Sequence, residues 1–157
     1  MSNPNRDYGL NWERELVNIF REFDERSLRT PNSGAYGTVA NIASLQGDVR
    51  FSLDGFHFLI EAKAGYGGSK SMSVKREWMD KTIKEATNQR PKRFPILALK
   101  FKNSKTPSGR LIAFTLKDFV DLLRKINSLI KDLTAANDFI FSLKDSGVDI
   151  SEYIRGE

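Results

Sequence analysis

Asp48, Glu61 and Lys63 combine two carboxylates and an ammonium, groups able to hold a cation and to move a proton. They lie in the stretch QGDVRFSLDGFHFLIEAK, from Gln46 to Lys63, where two alternating runs flank Asp54-Gly55. Asp-Gly between such runs signals a two-residue hairpin turn. With that turn, opposed residues have numbers that add to 109, so Asp48 faces Glu61. Alternation then places Asp48, Arg50, Ser52, His57, Glu61 and Lys63 on a chemical face, and Val49, Phe51, Leu53, Phe56, Phe58, Ile60 and Ala62 on a core face.

Directly opposed carboxylates have Cβ atoms about 4.5 to 5.5 Å apart and repel each other. A divalent cation removes the conflict. Hard oxygen ligands suit Mg²⁺, with Mn²⁺ as its substitute, and such a site uses one or two carboxylates with water and substrate phosphate. Lys63 follows Glu61 on the same face, where its ammonium could orient or help deprotonate an attacking water, or counter phosphate charge. Glu-x-Lys alone also occurs as an ordinary charged pair at a strand end. The opposed Asp48 is what favours chemistry.

The elements around this hairpin must hold it in place. Residues 1 to 8 are polar and read as flexible. A helix is expected from Asn11 as N-cap, with Trp12, Leu16, Ile19, Phe20 and Phe23 as its apolar stripe. Glu13 falls off that stripe, in a first turn that favours acidic residues. Leu28 to Thr30 reads as a short strand, and 32 to 44 as a loop rich in Gly, Asn, Ser and Ala. Ser73 is the expected cap of a helix from Val74 to Gln89, with Val74, Trp78, Ile83 and Ala86 buried. Phe94 to Phe101 reads as a buried strand and Leu111 to Thr115 as another. From Thr115 the stripe Phe119, Leu122, Leu123, Ile126, Leu129, Ile130 and Leu133 reads as the core face of a long helix. Residues 134 to 157 read as a helical extension that covers a sheet edge or meets another subunit.

An Asp on one strand followed by Glu-x-Lys on the next resembles the signature of the PD-(D/E)XK nuclease superfamily. Upstream, Gly9 to Val17, GLNWERELV, resembles the opening helix of archaeal-type Holliday junction resolvases, and Arg29 to Gly34, RTPNSG, resembles the Arg-x-Pro-x-Ser-Gly stretch that follows it. The resemblance covers Gly9 to Phe101. It implies a restriction-endonuclease-like α/β core, a mixed and mostly antiparallel central sheet flanked by helices. It also implies Glu13 as a third metal carboxylate beside Asp48 and Glu61, a supporting role for Ser33 in cleavage, and a homodimer acting on branched double-stranded DNA. Gly47 stands where a proline often precedes the Asp, and the C-terminal third has no counterpart.

Composition agrees with one nuclease domain over all 157 residues, 39% of them hydrophobic. The chain has no cysteine and one histidine, which exclude thiolate metal sites and argue against a zinc enzyme. No stretch reads as a signal peptide or membrane span, so a soluble cytoplasmic protein of a prokaryotic cell, virus or phage is expected. Residues 64 to 110 carry 12 basic and 3 acidic side chains, within a net charge of +5 for the chain. Clustered basic charge beside an acidic site is the footprint of phosphate-backbone binding, although a solvated face would look the same. Arg29, Ser33, Tyr36, Lys70, Lys75, Arg76, Lys81 and Lys84 are the candidate DNA contacts, Tyr36 by stacking on an unpaired base or junction arm. No phosphate loop for a nucleotide cofactor is present. The resulting expectation is a Mg²⁺-dependent endonuclease that nicks four-way junctions in symmetric pairs. A general or restriction-like nuclease on linear or flapped DNA, a non-catalytic DNA-binding module and a small scaffold protein are the alternatives.

Overall fold

Phe20 stacks on Phe51 at 4.1 Å and Phe51 on Phe58 at 4.5 Å, and this aromatic column joins the first helix to the hairpin. The computed structural model describes residues 4–30, 46–65, 71–102 and 106–147. Helix α1 is Pro4–Phe20. Five strands follow in the order β1 (Leu28–Arg29), β2 (Val49–Leu53), β3 (Phe56–Ala64), β4 (Phe94–Lys100) and β5 (Arg110–Ala113), with helix α2 (Arg76–Asn88) between β3 and β4 and helix α3 (Leu116–Asp145) last. The strands lie side by side in chain order. All neighbouring pairs are antiparallel except β3 with β4, which α2 connects. This is the expected mixed, mostly antiparallel sheet flanked by helices. Contacts divide the chain into two units, Met1–Asp118 and Phe119–Glu157.

The hairpin register holds. Val49 pairs with Ile60, Phe51 with Phe58 and Leu53 with Phe56, and Asp54 and Gly55 both adopt positive φ, 42° and 78°, as the turn requires. The division into one core face and one chemical face does not hold. Leu59 and Leu97 are fully buried and Leu99 nearly so, on the side that carries Glu61 and Lys63. A parallel pair inside a sheet is covered on both faces, so its strands read as continuous apolar runs. The candidate chemistry therefore sits at the edge of a packed layer, with α2 against it.

The helices also differ from their expected faces. The arc of α1 turned inward runs through Trp12, Leu16, Phe20 and Val17, while Ile19 is exposed. Glu13 lies within that arc. Phe23 comes after the helix has ended and shares no face with it. Trp12 anchors α1 to the sheet, its indole N–H donating to the Ala98 carbonyl at 3.0 Å. The helix begins at Pro4, and Tyr8 within it donates to the Phe101 carbonyl at 2.9 Å. On α2 the N-cap is Lys75 with no side-chain cap bond, so Ser73 does not cap it, and Val74 is exposed. The buried side of α2 is polar: Thr82, Glu85 and, just past its end, Gln89, with Ala86. Helix α3 has no buried residue, and Phe119, Leu123, Ile126, Leu129, Ile130 and Leu133 are exposed. Its apolar stripe is not a core face among the described residues, and the helix runs unbroken to Asp145.

Candidate active site

The site grows from the chain just before β2. Gly47 has φ of 70°, a left-handed conformation that favours glycine, and a Cβ there would run into the Leu59 side chain. Its N–H donates to the Glu85 carboxylate of α2 at 3.0 Å. This bond ties the entry to β2 down onto the helix. Asp48 comes next and is 7% exposed. Its N–H donates to the Ile60 carbonyl at 2.8 Å, and its carboxylate accepts the Ala62 N–H at 2.8 Å. The paired ladder ends at Val49, so Asp48 lies one residue beyond it, with its carboxylate against the backbone beside Glu61.

Glu61 is 3% exposed, deep for a carboxylate. Burying a carboxylate is costly unless it is paired. Lys63 donates to its Oε1, and Lys81 of α2 lies 3.2 Å from both of its carboxylate oxygens. Lys81 also approaches Glu85 at 3.7 Å. Burial alone would lower the Lys81 pKa. Glu61, Glu85 and Asp48, together with the hydrogen bond to Glu61, raise it above the ordinary lysine value. One ammonium thus lies between two carboxylates, Glu61 and Glu85, within the field of Asp48. Lys63 also lies 5.6 Å from the Trp78 ring centre.

Glu13 is held separately, bonded to Arg29 Nη1 at 3.0 Å. Among the described residues no group of three or more His, Cys, Asp or Glu could hold a metal ion together. The donor set of Asp48 and Glu61 nonetheless suits a hard divalent cation. Both are buried, and the Asp48 carboxylate is bonded to the N–H of Ala62, the residue next to Glu61, so hard oxygen donors meet on adjoining strands.

The other candidates scatter. Lys81, expected as a phosphate contact, instead enters the carboxylate cluster. Arg29 carries Glu13. Lys75, Arg76 and Lys84 are exposed on α2, Lys75 near Glu77 at 3.4 Å and Arg76 near Asp80 at 3.3 Å. Such surface pairs leave the cations available to a polyanion. Ser33, Tyr36 and Lys70 lie outside the described residues. Glu85 and Gly47 were missed by sequence reasoning. The only signal was a Glu one helical turn after Lys81, ambiguous with an ordinary surface pair.

Residues 4–151 match the family described as "Phage putative PDDEXK endonuclease". The chain belongs to that family. Membership puts it in the PD-(D/E)XK nuclease superfamily, whose nucleases act on DNA and usually use divalent metals, and the fold is compatible with a restriction-endonuclease-like core. It does not extend to the archaeal-type Holliday junction resolvases, so the finer resemblance is unsupported by this match. No curated protein matches the chain. Among the described residues, no helix is long and apolar enough to cross a membrane.

Proposed function

We propose that this PD-(D/E)XK nuclease is a Mg²⁺-dependent DNA endonuclease with Asp48, Glu61 and Lys63 as its catalytic core. The observation that carries the reading is the pair of buried carboxylates, Asp48 bonded to the Ala62 N–H and Glu61 immediately before Ala62, with Lys63 and Lys81 both donating to Glu61. Asp48 and Glu61 would hold the ion, which when bound supplies a Lewis acid for phosphodiester hydrolysis. Asp48 is kept in position by the Ala62 N–H and by the Gly47–Glu85 tie immediately before it. Lys63 is held beside Glu61 as a donor that orients the attacking water and counters charge developing on the phosphate. Lys81 keeps the carboxylates in place before substrate arrives.

As substrate we propose the four-way junction, cut in symmetric pairs by a homodimer, with Glu13 as a third carboxylate and Ser33 in support. This part rests on the resemblance at Gly9 to Val17 and Arg29 to Gly34. A second reading, a nuclease on linear or flapped duplex, is favoured by the bond of Glu13 to Arg29, because Glu13 as a third metal carboxylate comes only with the resolvase resemblance and no metal-holding group of three forms among the described residues. Competition separates them. An immobile junction and a matched linear duplex are incubated with the protein in Mg²⁺ or chelator. A resolvase keeps making paired nicks in the junction under excess duplex, whereas equal cutting of both identifies the general nuclease.

A further inference from the structure

At the other end of β2, the unit Met1–Asp118 has a cleft of about 560 Å³ between the turn after α1 and the hairpin. Arg50 and Arg93 both line it. Arg50 stands on β2, opposite Leu59, and Arg93 immediately precedes β4 and donates to the Phe58 carbonyl at 3.3 Å. The Nε of each guanidinium is buried with no hydrogen-bond partner among the described residues. Burial lowers the pKa of Arg93 and the charge of Arg50 lowers it further, so two like charges line one cleft.

Local carboxylates do not resolve this. Asp24 eases Arg93 but already accepts the Ser52 N–H at 2.7 Å and the Arg26 N–H at 2.9 Å. Asp54 is exposed at the hairpin tip. The remaining polar wall is Ser52 Oγ with His57 Nδ1, 2.8 Å apart, and the exposed Arg26, whose guanidinium lies 3.9 Å from Asp24. Two repelling guanidiniums around an open cleft are unfavourable for an empty fold and favourable for one that takes an oxyanion, which their planar forks match in geometry. The volume suits a phosphate carrying a sugar or base.

We propose that this cleft is a phosphate-binding site in which Arg50 and Arg93 together take the oxygens of a phosphate ester. It needs no cleavage chemistry, and its lining includes neither Asp48 nor Glu61, although Arg50 follows Asp48 by two residues on the same face.

The test is calorimetric titration of inorganic phosphate into the full chain, in chelator and at ionic strength held constant with chloride. Wild type, Arg50→Met, Arg93→Met and Glu61→Gln are compared. Saturable binding is expected in wild type and Glu61→Gln, weakened roughly tenfold to a hundredfold in each arginine variant. Absence of saturable binding in wild type, or equal binding in all four proteins, overturns the proposal. Should the arginine variants fail to fold, wild-type melting across a phosphate series at constant ionic strength decides: a rise in Tm that is steepest at low phosphate and then flattens supports the site, and a rise merely linear in phosphate, or none, rejects it. A short duplex and a mononucleotide then distinguish the source. Duplex affinity that falls with the arginines names a nucleic-acid phosphate, and loss confined to phosphate and mononucleotide names a free phosphate ester.

Discussion

Lys81 on α2 lies 3.2 Å from each carboxylate oxygen of Glu61 on β3. The helix that follows the Glu-x-Lys strand thereby supplies a second cation to the same carboxylate, and through Glu85 it also holds Gly47, next to Asp48. Catalytic geometry and the packing of α2 are coupled.

Lys81→Met removes the ammonium that pairs with Glu61 and Glu85. Lys63 still compensates Glu61, so the fold survives, with a loss of about 1 to 3 kcal/mol. Cleavage should fall at least as steeply as stability, and Lys81→Arg should restore part of both. Chemical denaturation and nicking assays on the three proteins check this.

The same residue sets a pH dependence. The folded pKa of Lys81 is raised above its ordinary 10.5, so its contribution is fully present below that value and is lost as pH climbs through the raised one. The Tm difference between wild type and Lys81→Met should be constant from neutral pH upward and shrink only above 10.5. A gap that closes near neutrality would show that the ion cluster is not its source.

Gly47→Ala is expected to destabilise by about 1 to 3 kcal/mol, because φ is positive there and the new methyl meets Leu59. Glu85→Gln keeps an acceptor for the Gly47 N–H, while Glu85→Ala does not. Nicking by Glu85→Gln should exceed that of Glu85→Ala, measured at temperatures where both are folded.

DNA affinity should fall with salt, with a slope of about 0.9 per neutralised phosphate on a log–log plot. Removing both Arg76 and Lys84, exposed on α2, should lower that slope by as much as about 2 without changing cleavage at saturating DNA. Filter binding across a salt series measures it. An unchanged slope places the interface elsewhere.

What the sequence makes legible here is what local rules decide. The Asp54-Gly55 turn and its flanking alternation specify the register, because turn chemistry and a period of two act over a few residues. That Leu59, Leu97 and Leu99 close the second face depends on β3 pairing parallel with β4, a contact across α2 that no short window contains. The inward side of α2 was legible only at Ala86, which is buried as expected: Thr82, Glu85 and Gln89 are polar, and hydrophobic periodicity pointed to the exposed Val74 instead. Their polar groups are met by other partners: Thr82 donates to the Trp78 carbonyl, Glu85 accepts the Gly47 N–H, and Gln89 Nε2 donates to Gln46 Oε1. On α3 the periodicity was correct and its meaning was not, since an apolar stripe specifies a helix face without specifying what covers it. Glu13 read as off the stripe, yet it lies in the inward arc because the buried arc is centred nearer Phe20 than Trp12.

The most direct test of the central claim is Mg²⁺-dependent nicking of DNA by Asp48→Asn and Glu61→Gln beside wild type, with binding to the same DNA measured in chelator. The side-chain amide of the Asp48→Asn variant retains a carbonyl that can accept the Ala62 N–H, so the fold should persist. The account predicts that both variants bind DNA within a few-fold of wild type, about 1 kcal/mol or less, and do not cut it. Wild-type cutting by either variant would contradict it and take that carboxylate out of the mechanism.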